Sequence, residues 1–546
     1  MLRGLLSLLV CLAAAPLEPL ESLSAQAAPV RTAQRTLVVP FENVTRESRI
    51  VWLGEAASVL LADDLIALGA DAITGEDRRE AFERLQVPAA NALTDATFIR
   101  IGELVGASEV VVGTLRLQGE TLIAHARSIV LETGRIRADV TEAGPFVDFF
   151  AIFERIARRM TPPSARSSEE ILRGHPPVAA FENYIKGLLA QTPATAVNYL
   201  NAALKVQPSF DRARLALWRV YNEQGDHDRA LAAIRPIPAG SPWAGRARFL
   251  AGLSQMDSKR YDEAFATFKA LAETTPAAAA VLNNLGVVQV RRGSTPQTGE
   301  PVYYFTQAAE ADPAGADYFF NLGYGYWLVK DTQAAIYWLR EAVRRDPADG
   351  EAHFVLAAAL AAAGSASESS RERELASRLT PAYEEWAKRP ATDPVPRGLE
   401  RVKTALEETF AQRTDEALAS TGQRDQQELV QFHLDRGRRL FEQENDREAL
   451  AELSRAVFLS PYQAEAHLLV GRLYLRAGRV ADAIDALKIS LWSMETAAAH
   501  VALADAYLAT RDRALAEAEA ARALALDPGS TDATAILERA RTVPRR

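Results

Sequence analysis

The feature that most constrains the fold of this chain is a repeat of 34 residues. Closing prolines and small residues keep this step at separate places: Pro313, Pro347 and Pro381; Gly252 and Gly286; Gly437 and Gly471. A fixed period of this length indicates a supersecondary unit that is copied along the chain. Such units bury their apolar faces against one another, so the pattern predicts a stacked solenoid.

Residues 316–347 show what one unit contains. Apolar residues recur at intervals of three and four over 318–329 and again over 333–345, which predicts two amphipathic helices. Pro347 ends the second helix. A single helical hairpin cannot cover its own apolar stripe, so it needs copies of itself on either side.

The repeated positions resemble the tetratricopeptide repeat family, in which a first-helix Leu-Gly, a Tyr one turn later, a second-helix Ala and a closing Pro recur. The matching residues are Leu322, Gly323, Tyr326, Ala335, Ala342 and Pro347 in one repeat, and Gly471, Tyr474, Gly478 and Ala483 in another. The resemblance implies a mainly α protein with two arrays of hairpins. We expect about six repeats over 179–381 and about three over 430–530, separated by a helical connector at 382–429 and followed by a capping helix and tail at 531–546. Within the connector, the charged residues predict a helix over 398–412.

Residues 35–160 follow a different pattern. Runs rich in β-branched residues at 35–41, 109–117, 121–131 and 135–141 predict strands, and helical periodicity between and after them predicts helices. We therefore predict a small α/β domain with a mixed sheet. The Pro-, Ser- and charge-rich residues 161–178 predict a linker to the repeats.

Two motifs in this domain, LVVPFENVT at 37–45 and IGELVGASEVVVGTL at 101–115, resemble the amino-terminal domain of the periplasmic protein TolB. They are more similar still to TolB-like domains that precede tetratricopeptide arrays in bacterial proteins. The resemblance implies a small α/β fold and a cell-envelope setting. The TolB β-propeller does not follow, so TolB's own partners are not carried over.

Residues 1–27 predict a cleaved secretory signal peptide. Arg3 precedes an apolar run at 5–15 that is too short to span a bilayer, and Ala25-Gln26-Ala27 fits a cleavage site. We therefore expect a periplasmic or otherwise extracytoplasmic protein. Lipid anchoring at Cys11, the single cysteine, is the alternative, although Val10 fits it poorly.

Composition and motifs exclude several classes of function. The net charge of -9 argues against a general nucleic-acid binder, and no later run is apolar for long enough to predict a transmembrane segment. The sequence contains no phosphate-binding loop, zinc-protease motif, calcium loop or nucleophile elbow. We predict no enzymatic activity, no cofactor and no metal. Four histidines share one repeat position on separate hairpins, which favours packing over ligation: His353, His433, His467 and His500.

The candidate binding residues lie on first helices, whose inner face lines the concave groove in the family. They are Asn283, Asn284, Phe320, Asn321, Tyr324 and Trp327 in the first array, and Arg438, Arg472 and Arg476 in the second. The resemblance implies that Asn284 and Asn321 bond the backbone of an extended peptide, because an amide supplies both a donor and an acceptor. The arginines suggest acidic contacts. The alternatives are core packing for the rings and a solvated, salt-bridged face for the arginines.

Two functions fit these observations. The first is a non-enzymatic scaffold of the bacterial cell envelope that holds peptide or protein partners in the grooves of the repeats. The second is a ligand-recognition subunit, for glycan or nucleotide, of an envelope enzyme or transport assembly.

Overall fold

The computed structural model describes residues 35–45, 47–84, 98, 101–102, 105–276, 278–295, 298–406 and 416–542. This part of the chain is mainly helical, with a small mixed sheet near its amino-terminal end. The predicted fold class is therefore confirmed. The predicted signal peptide, Cys11 and the last four residues of the predicted tail lie outside the described residues.

The sheet is built around one long central strand. That strand, β3 (Glu109–Gln118), pairs in parallel with β1 (Thr36–Val38) and with the short β2 (Glu42–Asn43). It continues as an antiparallel meander through β4 (Thr121–Val130) and β5 (Ile136–Pro145). Alternate residues of β3 serve two cores: Val110 and Val112 pack on one side of the sheet, and Val111 and Leu115 pack on the other.

Helices cover the face of the sheet that contains Val111. These are α1 (Leu53–Ala67) and α3 (Phe149–Met160), while α2 (Gly75–Arg84) follows α1. Gly113 permits the close approach of the Phe41 ring to β3. A Cβ atom at this position would lie 2.2 Å from Phe41 Cε2, so only glycine fits without a shift of the ring.

The segment predicted as a linker contains one short helix. Residues 168–174 form α4 (Ser168–Gly174), which begins with a reciprocal capping box between Ser167 and Glu170. Ile171 is buried, and Arg158 of α3 donates to the carbonyl of Arg166 at 2.7 Å. The polar composition suggested a loop. Here two of the polar residues cap a short helix, and Ile171 of that helix packs on the domain.

Six helical hairpins follow and form array 1. Their helices are α5 (Val178–Leu189), α6 (Pro193–Val206), α7 (Asp211–Glu223), α8 (His227–Ile234), α9 (Ala244–Asp257), α10 (Tyr261–Thr274), α11 (Ala279–Arg292), α12 (Pro301–Ala311), α13 (Ala316–Leu328), α14 (Thr332–Arg345), α15 (Gly350–Ala362) and α16 (Ala366–Leu379). One continuous core runs through most of them, from Leu215 to Ala376. Each hairpin thus completes the core of its neighbours.

Three further hairpins and a final helix form array 2. The helices are α18 (Glu416–Glu442), α19 (Asp446–Leu459), α20 (Ala464–Arg476), α21 (Val480–Ser493), α22 (Ala497–Ala509), α23 (Arg513–Leu526) and α24 (Thr531–Thr542). The first of these begins at Glu416, inside the predicted connector, so connector and repeat share one helix.

The connector departs most from its prediction. It contains the short helix α17 (Tyr383–Trp386), but residues 397–405 have no helical structure, although the charge pattern predicted a helix over 398–412. Residues 407–412 of that helix lie outside the described part. Gly398 has φ +86°, a left-handed conformation that interrupts a helix. The backbone bonds that a helix would make within itself are made instead to array 1.

An ion-pair cluster ties the α/β domain to array 1. Arg212 of α7 donates to Glu76 at 2.6 and 3.0 Å and to Asp63 at 2.5 Å. Tyr184 of α5 donates to Glu76 at 2.7 Å. Burial alone would raise the pKa of Glu76, but Arg212 outweighs it and lowers that pKa to about 2. The domain and the first hairpins therefore share buried charges.

Array 2 returns to contact the beginning of array 1. The amide of Gln191 donates to the carbonyl of Ser493 at 2.8 Å, and the amide of Glu495 donates to Thr195 Oγ1 at 3.1 Å. Beside them Trp492 packs in a small apolar cluster that includes Val51 of the α/β domain. The two arrays and the domain thus make direct contact. Among the described residues, no helix is both long and apolar enough to cross a membrane.

The four aligned histidines have structural partners. His353, His433 and His500 each pair with a glutamate 19 residues later, Glu372, Glu452 and Glu519 respectively, at 2.5–2.6 Å. His467 has no glutamate at that spacing, and its Nε2 lies 2.8 Å from the carbonyl oxygen of Pro461. No group of side chains in the described residues could hold a metal ion.

His467 should make array 2 sensitive to mild acid. Burial lowers its pKa from 6.5 to about 4, so between these values the unfolded chain binds a proton that the folded chain does not. Stability is then fully present above pH 6.5 and falls as the pH drops toward 4. We expect His467→Gln to remove about 1 kcal/mol of the stability lost between pH 7.5 and 5.5, measured by urea denaturation. Equal losses in both proteins would contradict this assignment.

Candidate binding groove

The inner face of array 1 carries fully buried polar side chains. Asn283 and Asn284 lie on α11 and Asn321 lies on α13, and all three are 0% exposed. A buried carboxamide is costly unless its donors and its acceptor are paired. Here the partners come from the connector.

Residues 395–406, which we call the strap, lie across these asparagines without helical structure. Asn284 Nδ2 donates to the Lys403 carbonyl at 2.8 Å, and the Lys403 amide donates to Asn284 Oδ1 at 2.9 Å. Asn321 pairs with Arg401 in the same way, at 2.8 and 2.7 Å. One asparagine in each of two successive repeats thus bonds the backbone of one strap residue, and the two residues, Arg401 and Lys403, are two positions apart.

Asn283 locks this arrangement. Its Nδ2 donates to the Arg401 carbonyl at 2.8 Å, and its Oδ1 accepts from Asn321 Nδ2 at 2.7 Å. Near the beginning of the strap, the Tyr324 hydroxyl donates to the Pro396 carbonyl at 3.0 Å. The strap therefore runs opposite to the order of the repeats, with its earlier residues against the later helix.

Acidic residues of array 1 surround the two strap cations. Arg401 donates to Asp317 and to Asp349, both at 2.7 Å, and lies 3.5 Å from Glu351. Lys403 Nζ donates to Asp317 at 2.8 Å. Burial alone would raise the pKa of Asp317, but Lys403 and Arg401 outweigh it and the pKa is lowered. The side of the groove that contains Asp317, Asp349 and Glu351 is the acidic wall.

Aromatic rings form the floor beneath the cations. The Arg401 guanidinium lies 3.8 Å from the Phe320 ring centre, and Lys403 Nζ lies 4.7 Å from that of Tyr318. Phe320 stacks on Tyr324 with 6.0 Å between ring centres, and burial raises the pKa of Tyr324 to about 12. Trp327 packs in the same array core as these rings, and the cation over its ring is Lys330 rather than a strap residue.

The three arginines of array 2 lie apart from the strap contacts. Arg438 bonds Glu465 at 2.8 Å, and Arg476 bonds Asp446 at 2.7 Å while it covers the Phe441 ring. Arg472 is partly buried, and burial lowers its pKa. For Arg438 and Arg476 the geometry is that of a salt-bridged face.

Sequence reasoning missed the strap and the acidic wall. A readable signal was present in Pro394, Pro396 and Gly398, which disfavour a helix immediately before the charged residues. An extended segment could then have been predicted for the four consecutive residues Glu400, Arg401, Val402 and Lys403. Asp317 lies in the first turn of α13 and Asp349 is the N-cap of α15, and an aspartate is ordinary at both positions.

Comparisons with known proteins identify the repeats. The family model of the tetratricopeptide repeat matches residues 190–242, 223–279, 249–297, 303–350 and 434–491. All of these segments lie in the two arrays, and the similarity of residues 35–160 to TolB stays a prediction. No curated protein matches the chain.

Solved structures of repeat proteins overlap with parts of the chain. MamA is 18% identical, covers 32% of this chain and 98% of its own, and has a TM-score of 0.28. YrrB, described as a TPR protein with an unusual peptide-binding site, is 21% identical over 34% of this chain and 92% of its own, with a TM-score of 0.27. A tetratricopeptide repeat protein from Parabacteroides merdae is 14% identical over 55% and 99%, with a TM-score of 0.23. Likeness of this size carries no functional argument.

The strap contacts should depend on the paired asparagines. Asn284→Ala with Asn321→Ala leaves the amides of Arg401 and Lys403 and the Lys403 carbonyl without these partners, at about 1–3 kcal/mol for each buried group. The Arg401 carbonyl keeps its bond from Asn283 Nδ2. We expect trypsin to cleave after Arg401 and Lys403 at least about tenfold faster, as measured by mass spectrometry of the peptides. Asn183→Ala is the control, because that amide bonds Ala179 within its own helix. Unchanged cleavage in the double variant would show that the asparagines do not hold the strap.

Proposed function

We propose that this chain, whose two arrays are tetratricopeptide repeats, is a non-enzymatic scaffold that binds protein partners through extended peptide segments. The observation that carries the proposal is the pairing of Asn284 and Asn321 with the backbone of an extended segment. These bonds are made to groups that every peptide possesses, so they supply affinity without restricting sequence. The groove of array 1 is thus suited to peptides as a class.

A search with displayed peptides tests this proposal. The intact chain and its Asn284→Ala/Asn321→Ala variant are each immobilised and offered a library of random peptides. We expect binders to be enriched on the intact chain and on the Asn183→Ala control, and to lose at least about tenfold in affinity on the double variant. Enrichment that does not depend on the asparagine pair would contradict the proposal. The full chain is used because truncation near residue 178 would expose the buried charges of Arg212 and Glu76.

We further propose that the scaffold works in the cell envelope after removal of residues 1–27. The apolar run at 5–15 and the Ala25-Gln26-Ala27 site support this placement. Mass spectrometry of the protein purified from its own cells should find Ala28 as the first residue. Retention of Met1 in that protein would overturn the placement.

A further inference from the structure

We infer that the strap is a displaceable internal ligand that closes the groove of array 1, and that the partner which displaces it is an extended segment with cations at two alternate positions. The inference rests on the proposed function and deepens it, because it names the chemistry of the partner and the way in which access is controlled.

The strap contacts are of a kind that another peptide can replace. Within residues 395–406, all of which the structure describes, Val395 alone among the apolar residues is buried; Leu399, Val402 and Leu406 are half-buried. The polar contacts are hydrogen bonds from the asparagines and Tyr324 to the backbone, ion pairs to the acidic wall and the pair of Glu400 with Arg291, and the two cations also lie over aromatic rings. An incoming peptide with the same groups makes the same bonds, so the exchange leaves no buried polar group unpaired.

The acidic wall sets the charge of the occupant. Side chains at positions i and i+2 of an extended chain point to the same side, and here both positions face the wall: Arg401 contacts Asp317 and Asp349, and Lys403 contacts Asp317. Asp349 is itself buried. A segment with neutral or acidic residues at these positions would leave Asp349, which is buried, and Asp317, whose side chain is 38% exposed, without counter-charges, which is unfavourable.

An acidic residue is accepted immediately before the first cation. Glu400 points away from the wall and pairs with Arg291 of α11 at 2.8 Å, and its carboxylate is 3% exposed. Arginine and carboxylate thus meet on the side of the strap opposite to Asp317. The groove therefore fits an extended segment of the form acid, cation, half-buried apolar residue, cation.

The covalent link gives the strap an advantage over a free peptide. A tethered segment acts at an effective concentration that is roughly millimolar for short flexible links. If it fills the groove for 99% of the time, the apparent affinity of an outside peptide falls about 100-fold. Weakening the strap without altering the groove should restore that affinity.

The test uses a fluorescent peptide with the sequence of residues 395–406 and measures its binding to the full chain by anisotropy. Arg401→Ala with Lys403→Ala, which alters the strap and leaves the groove intact, should bind this peptide at least about tenfold more tightly than the wild type. Adding Asn284→Ala and Asn321→Ala should abolish the gain. A peptide with Arg401→Glu and Lys403→Glu should not bind the opened chain.

The outcomes separate this inference from the proposed function. Equal affinity of the basic peptide for the wild type and the opened chain would overturn closure by the strap, while the proposed function would stand. Equal binding of the basic and acidic peptides would overturn the charge selection. Failure of the opened chain to bind either these peptides or any displayed peptide would overturn both proposals.

A measurement on the wild type covers the case in which the opened chain does not fold. Excess basic peptide should speed hydrogen exchange at the amides of Arg401 and Lys403, which the asparagines protect in the closed groove. We expect at least a tenfold increase that the acidic peptide does not produce. No increase at a saturating concentration of the basic peptide would overturn the inference.

Discussion

The structure of array 1 depends on the requirement that a carboxamide shut away from water must have every polar atom paired. Asn283, Asn284 and Asn321 are completely buried on the inner helices, and the repeat itself provides no partners for most of their groups. Only a backbone that is free of its own hydrogen bonds can supply amides and carbonyls at the right spacing. The extended strap and the buried asparagines therefore require one another. The ion pairs of Arg401 and Lys403 are further contacts between the strap and array 1.

The sequence was sufficient to predict the hairpins, which recur, and insufficient to predict the strap, which occurs once. A 34-residue step in prolines and small residues defines hairpins, and hairpin geometry places Asn284 and Asn321 on the same inner face. The strap has no copy elsewhere, and its charged residues match a helical pattern as well as an extended one. Its conformation is decided by bonds to residues about 80 and 120 positions earlier, and single-sequence periodicity carries no information about such contacts.

The same distinction holds for the rest of the chain. The run of β-branched residues in β3 predicts a strand, and its first four residues are buried because both faces of the sheet are covered there. The Pro-, Ser- and charge-rich residues 161–178 resemble a loop, yet Ser167 and Glu170 cap a helix that packs on the domain. The apolar cluster that includes Trp492 and Val51 joins elements more than 400 residues apart. Because of these contacts, the domain and both arrays form one assembly, and the first hairpins of array 1 pack against both the domain and array 2.

The bond between Asn283 and Asn321 has a consequence for the polarity of whatever lies in the groove. A lone carboxamide can rotate by half a turn and exchange its donor with its acceptor. Asn321 is restrained from doing so, because its nitrogen donates both to Asn283 and to the Arg401 carbonyl, and Asn283 directs a second N–H to the same carbonyl. A chain of the opposite direction would present an amide to these two donors. The orientation of Asn283 and Asn321 is thus matched to the direction in which the strap runs, independently of its side chains.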